Sequence, residues 1–183
     1  NQIYCFTGGE TWMQTEAGTC IRVISTASSP DYRLDRFECP GSSGSQGKVK
    51  LISRDSRGTV WILTSGGLFS VRKDDKTPVQ ALSGNTRPGP GNGFFCIHEA
   101  GDRLWFGSGK GTILVTDHEA SVFEELNLGV PSDIISIRPL NQRELIILTS
   151  GNGFFVYSPV TGEKKQFDTS RYPVMPSDRM VSV

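Results

Sequence analysis

Four segments of this chain align with one another: TWMQTEAGTCIRV from Thr11, VWILTSGGLFSV from Val60, LWFGSGKGTILV from Leu104 and LIILTSGNGFFVY from Leu145. Trp12, Trp61, Trp105 and Ile146 share one column. Three residues later come Thr15, Thr64, Ser108 and Thr149, and six residues later Gly18, Gly67, Gly111 and Asn152. Glycine and asparagine tolerate the positive φ that a tight hairpin demands. The aligned columns lie 49, 44 and 41 residues apart. A period in the forties, built from short strands, indicates a propeller or a solenoid.

Each unit repeats the same parts around its hairpin. An apolar segment precedes it at Ile3–Phe6, Val49–Ser53, Phe94–His98 and Ile134–Arg138. A further strand follows near Tyr32–Phe37, Val79–Leu82, Val122–Leu126 and Lys164–Phe167. With the two strands of the hairpin this makes four strands per unit, which is one propeller blade. The expected blades cover approximately 1–47, 48–92, 93–132 and 133–178, and 179–183 reads as the opening strand of a further blade. VWIL, LWF and LIIL are continuous apolar runs, so both faces of those strands should be covered. Val122, Phe123 and Leu126 of EASVFEELNL also fit helical spacing, but the repeat places an outer strand there. The fold class expected is all-β, a β-propeller fragment of about four four-stranded antiparallel blades.

The repeat also explains why GNGFF occurs at both Gly91–Phe95 and Gly151–Phe155. The first copy leads into an opening strand and the second forms a hairpin, so the identity is coincidental.

The 19 basic and 19 acidic residues cancel, so no global field draws the chain to nucleic acid or an anionic membrane. No apolar run reaches the 18 residues a membrane helix needs. There is no initiator methionine or signal peptide, and NQIYCF already reads as strand, so an excerpt of a longer protein is expected. Cys5, Cys20, Cys39 and Cys96 have no CxxC spacing, which argues against a zinc site. Cys5 and Cys20 fall on strands of one sheet, where either a bridge or two small apolar side chains would fit.

Several stretches imitate functional motifs. GSGKGT at Gly107–Thr112 follows a strand, but a phosphate loop needs lysine followed at once by Ser or Thr and then a helix. Here Gly111 follows Lys110 and a strand continues, so it reads as a glycine hairpin. RPGPGNG at Arg87–Gly93 lacks the flanking strand and helix of a dinucleotide site and reads as an interblade loop. SRDSRGTVW at Ser53–Trp61 approaches the Asp-box of sialidase propellers, with the glycine one residue late. Asp55 and Gly58 fit better as the turn between the first two strands, in the manner of AGDR at Ala100–Arg103 and LNQR at Leu140–Arg143. His98 and His118 are each followed by Glu, but neither opens an HExxH pattern. The Ser and Thr beside each hairpin recur once per unit and so belong to the fold. No catalytic residue, metal ligand or cofactor site is therefore expected, and no ligand-binding residue can be named.

Unit two, LISRDSRGTVWILTSGGLFSVRKD, carries an apolar strand, a D-x-x-G-x-x-W turn and W-I-x-T-x-x-G-L. It strongly resembles the two-component regulator propeller repeat. LWFGSGKGTILVTD and LIILTSGNGFFVYSPVTGEKKQF resemble it less closely, and the first unit lacks the D-x-x-G turn. The resemblance implies a periplasmic sensor region of a hybrid two-component regulator, a histidine kinase joined to a response regulator, held in the inner membrane. Such proteins are typical of bacteria that degrade complex polysaccharides and respond to oligosaccharides. Their many repeats close into one or two propellers, followed by an immunoglobulin-like domain, a membrane helix and the kinase parts. An oligosaccharide or other small signal ligand is thus the expected partner, without nucleic acid, and with the membrane reached only through segments downstream of this chain. The competing expectation is a carbohydrate-active propeller enzyme of glycoside hydrolase or lyase type.

RMVSV at Arg179–Val183 reads as a strand without its blade. A four-blade arc would leave apolar faces bare at both ends. It should therefore form a homo-oligomer through exposed blade faces, two arcs completing an eight-blade ring. A closed four-blade propeller is the alternative.

Overall fold

The computed structural model describes residues 3–15, 19–25, 31–38, 49–64, 67–83 and 93–181. All regular structure among these residues is β-strand, in two compact units, Asn1–Arg87 and Pro88–Val183.

The first unit holds two sheets. One is β1 (Ile3–Phe6), β2 (Glu10–Gln14), β3 (Thr19–Ser25) and β4 (Tyr32–Glu38). The other is β5 (Val49–Arg54), β6 (Val60–Thr64), β7 (Gly67–Val71) and β8 (Val79–Ser83). The second unit holds β9 (Phe94–Ala100), β10 (Arg103–Ser108), β11 (Thr112–Thr116) and β12 (Glu124–Asn127). Its other sheet is β13 (Ile134–Pro139), β14 (Leu145–Thr149), β15 (Phe154–Tyr157) and β16 (Lys164–Phe167). Each sheet is a four-stranded antiparallel meander in chain order, as a blade requires.

The aligned column holds in three dimensions. Trp12, Trp61, Trp105 and Ile146 all sit on the second strand of their sheet, opposite Tyr4, Ser53, His98 and Arg138 of the first. The three tryptophans are buried, at 0%, 1% and 4% exposure. Burial of β6 and β11 is complete at all five positions, as continuous apolar runs should give. β14 differs: Leu145 and Ile147 are buried, while Ile146 and Leu148 are half-buried. The core of this unit lies on the Ile147 side, where Cys96, Trp105, Ile113, Ile134 and Phe155 gather. In the first unit Trp12, Cys20 and Phe37 of one blade meet Ile52, Ile62 and Phe69 of the other.

The hydroxyl three residues beyond the aligned column closes each hairpin. Thr64 Oγ1 donates to Gly67 O at 2.9 Å, Ser108 Oγ to Thr112 O at 2.9 Å and Thr149 Oγ1 to Gly153 O at 2.8 Å. In the first blade Thr15 Oγ1 instead accepts the Thr19 amide at 3.1 Å. Gly111 has the expected positive φ, at 70°. In the fourth blade the left-handed residue is Gly153, at φ 69°, and not the aligned Asn152. The third and fourth hairpins are equally long, and at Gly153 a Cβ would strike the Phe167 carbonyl, so glycine is needed there. Gly18 lies outside the described residues.

Several strands run one or two residues past their expected ends, and two differences go further. β12 begins at Glu124, two residues later than expected. Asp117 Oδ1 accepts the amides of Glu119 and Ser121, and Thr116 Oγ1 donates to Val122 O at 2.7 Å, so a closed turn occupies the start of that segment. The further strand expected at 179–183 does not form over 179–181, where the Met180 amide donates to Thr149 O at 3.4 Å; 182 and 183 lie outside the described residues. Phe94 opens a first strand and Phe154 a third, so the two GNGFF copies do occupy different registers.

Candidate functional site

In the first unit, strand pairing builds a polar end onto an apolar seam. Trp12 stands opposite Arg22, and Arg22 opposite Asp35, so one row crosses three strands of the first blade. Two rows further along, on the same face, Glu10 stands opposite Ile24. In the second blade, Arg54 stands opposite Val60 and Val60 opposite Val71. These rows enclose a cleft of about 210 Å³, reached also by Thr7, Gly8, Gly58, Arg72 and Lys73.

Arg22 is the anchor of this end. It is 3% exposed, an unusual burial for an arginine unless it is paired. Its Nε and Nη2 donate to Asp35 Oδ2 at 3.0 and 2.7 Å, and its Nη1 reaches Lys73 O at 3.5 Å. The guanidinium lies 5.7 Å from the centre of the Trp12 ring and 5.0 Å from that of Phe37, within cation–π range. Hydrogen bonds from Arg33 and then Arg22 hold the Asp35 carboxyl below the usual carboxylate range, against the opposing effect of burial. Arg54 covers the neighbouring turn, donating from Nη1 to Thr7 O at 3.1 Å and lying 3.5 Å from Glu10 Oε2. A Cβ at Gly58 would come within 3.2 Å of Arg54 Nη2, so glycine there leaves the guanidinium its place. Glu10 is further tied by the Trp12 indole, whose Nε1 donates to Oε1 at 2.7 Å.

The motif-like stretches resolve into structural parts. Asp55 Oδ1 accepts the amides of Arg57 and Thr59 at 3.0 and 2.9 Å, and Oδ2 accepts Trp61 Nε1 at 2.9 Å. Gly58 completes that turn at φ 87°. Asp55 therefore builds the turn expected of it. GSGKGT is a β10–β11 hairpin with Lys110 and Gly111 both at positive φ. Most of RPGPGNG lies outside the described residues. His98 is half-buried on β9, where burial and then Arg138 lower its pKa. His118 is buried after β11 with Nε2 3.3 Å from Glu99 Oε1. Cys5 and Cys96 are free thiols; Cys5 on β1 and Cys20 on β3 are separated by β2, and Cys39 lies outside the described residues. Burial pushes the Cys96 thiol up to about 12.

The cleft had one trace in the sequence. Opposite the aligned tryptophan or isoleucine, the third strand carries Arg22 in the first blade but Ser70, Val115 and Val156 in the others. A charged residue at a column otherwise small or apolar marks the odd blade out. The rest of the lining is spread from Thr7 to Lys73 and comes together only when two sheets pack.

No family model matches the chain, and no curated protein does. Among solved structures, two of the extracellular domain of BT4673 from B. thetaiotaomicron match at 24% identity, with TM-scores of 0.62 and 0.59. One describes it as a proposed one-component system and the other as a proposed hybrid two-component system; the matches cover 78% and 75% of this chain and 18% and 17% of those chains. The extracellular domain of BT3049 from B. thetaiotaomicron, a proposed hybrid two-component system, matches with a TM-score of 0.62 at 19% identity, over 91% of this chain and 21% of that one. YCF48 bound to D1 peptide matches with a TM-score of 0.64 at 14% identity, over 90% of this chain and 52% of that one. The chain thus spans about a fifth of the B. thetaiotaomicron domains. Its four antiparallel meanders of four strands, with TM-scores of 0.59 to 0.64 to these structures, make the chain a part of a β-propeller, similar in fold to the extracellular domains of proposed hybrid two-component systems.

Proposed function

We propose that this chain belongs to the ligand-recognition region of a hybrid two-component signalling protein, that its signal is an oligosaccharide and that it does no chemistry of its own. The observation that carries this reading is the fold likeness to the extracellular domains of BT4673 and BT3049, which agrees with the repeat resemblance in LISRDSRGTVWILTSGGLFSVRKD. In this reading the chain works in the periplasm, and its parent is an inner-membrane histidine kinase. The use of its carboxylates supports a role without catalysis. Glycoside hydrolysis needs two carboxyl groups facing the scissile bond. Among the described residues Glu10 is the single carboxylate lining the cleft, and Trp12 and Arg54 already engage it. Asp55, the residue behind the Asp-box likeness, has both oxygens occupied by its own turn.

The test is calorimetric titration of the purified chain with a panel of plant and host oligosaccharides, with chromatography of each mixture afterwards. Saturable binding of at least one oligosaccharide without new reducing ends is expected. No binding across the panel overturns the oligosaccharide reading. Cleavage abolished by replacing one carboxylate overturns the non-catalytic one. We further propose that copies associate through blade faces; light scattering during gel filtration should give more than one chain per particle, and a monomer at micromolar concentration rejects this.

A further inference from the structure

We propose that the cleft at the polar end of the first unit's seam binds an oxyanion carried on a sugar ring, a carboxylate or a sulfate. This rests on the oligosaccharide reading above and narrows it to acidic glycans.

Charge is the first ground. The cleft is lined by Arg22, Arg54, Arg72 and Lys73 against one carboxylate, Glu10. Counting Asp35, which neutralises Arg22 from beside the cleft, the cations still outnumber the acids by two. Asp74 and Asp75 follow in the chain but do not line the cleft, and Asp75 turns back to accept the Arg72 amide at 2.7 Å. Lys73 makes no side-chain ion pair among the described residues, and its backbone is pinned by Arg22. The chain as a whole is neutral, so this excess is local. A cleft with a net excess of one sign concentrates the opposite sign.

Shape is the second ground. Ile24, Val60 and Val71 give the cleft apolar walls, which suit the C–H face of a pyranose. Its volume of about 210 Å³ is below the ~300–1,000 Å³ of pockets for drug-sized ligands, which suits one sugar residue, not a whole chain of them. Gly8 lines the mouth and has open space where a Cβ would be, leaving the backbone approachable. The Arg22 fork is held by Asp35, so the ligand's oxyanion would meet the remaining cations, which bind carboxylate and sulfate oxygens more strongly than neutral hydroxyls.

The experiment titrates the full chain at fixed ionic strength with D-glucuronate, sodium sulfate, glucose 6-sulfate and D-glucose. Chemical shifts or calorimetry report binding, and Lys73→Gln, an exposed position, is the principal variant. The proposal expects glucuronate or glucose 6-sulfate to bind at least tenfold more tightly than glucose, and K73Q to remove most of that preference. Whichever of the two binds more tightly identifies the oxyanion. Arg54→Gln should weaken binding as well; if it unfolds the chain, K73Q alone decides. Equal binding of glucose and glucuronate, or an unchanged preference in K73Q, overturns the proposal. If neutral oligosaccharides from the earlier panel bind while K73Q changes nothing, the sensor reading stands and this one falls. If inorganic sulfate binds in a Lys73-dependent way and no sugar does, the sugar-borne ligand is rejected.

Discussion

Three tryptophans occupy one column, yet their indole nitrogens are satisfied differently. Trp12 donates to Glu10, two residues before it, and Trp61 to Asp55, six residues before it. Trp105 Nε1 is buried and finds no acceptor among the described residues. Leaving a buried polar group unmade costs about 1–3 kcal/mol, whereas an intact bond contributes about 1 kcal/mol net. Replacing Trp61 by Phe removes a bond to Asp55; replacing Trp105 by Phe removes none. We expect W61F to lose about 1 kcal/mol more stability than W105F in urea titrations, and equal losses would refute the pairing. The thiols separate as clearly. With its pKa at about 12, Cys96 has almost no thiolate near neutral pH, and it is buried. In the native chain a maleimide should label exposed Cys5 and spare Cys96 and Cys20 until denaturant is added; peptide mapping that finds Cys96 labelled first rejects the buried position.

At the scale of elements, the hairpin is the unit that repeats, and its closing hydroxyl is why Thr or Ser recurs there. Thr149 Oγ1 both donates to Gly153 O and accepts the Asn152 amide at 2.9 Å. Thr149→Val keeps the branched shape that strands favour and removes only those bonds. We expect it to cost about 1–2 kcal/mol, read as a lower urea midpoint, and no change would mean the hydroxyl is incidental. This recurrence made the strands legible in the sequence: tryptophan, hydroxyl and glycine each answer a local demand of the same hairpin. The left-handed residue of the fourth hairpin was misplaced by one because alignment fixes columns, whereas sterics at the Phe167 carbonyl choose the residue. The start of β12 was misplaced because a side chain, Asp117, ties down the preceding turn. The cleft was nearly illegible, since Glu10, Arg22, Arg54 and Lys73 have no common spacing and meet only through packing. Arg22 alone stood out against its column.

At the scale of the whole molecule, the shifted carboxylates set the response to acid. Asp35 is held low chiefly by its bond from Arg33, Asp117 by Ser121 and Asp168 by Ser170. A carboxyl depressed in the folded state adds stability above its unfolded value, ordinarily 3.8, and loses it as pH falls through the folded value. The urea midpoint should therefore begin to fall below about pH 6.5, where the unfolded chain protonates His98 more readily than the folded one, and fall again below about 4, with a smaller second drop in Asp35→Asn. A midpoint unchanged down to pH 3 would contradict this. The closing hydroxyls have another consequence. They clamp each blade just inside its hairpin, so TEAGT, TSGG, SGKGT and TSGNG differ in length and chemistry without altering the strands they join. Beyond the clamp the third tip is itself a docking point, since the Gly111 amide donates to Ser132 O and the Gly111 carbonyl accepts the Leu128 amide at 2.9 Å. A foreign peptide grafted between Ser108 and Thr112 should leave the strands in place yet loosen residues 128–132, read as faster hydrogen exchange there, like a door whose latch has been lifted.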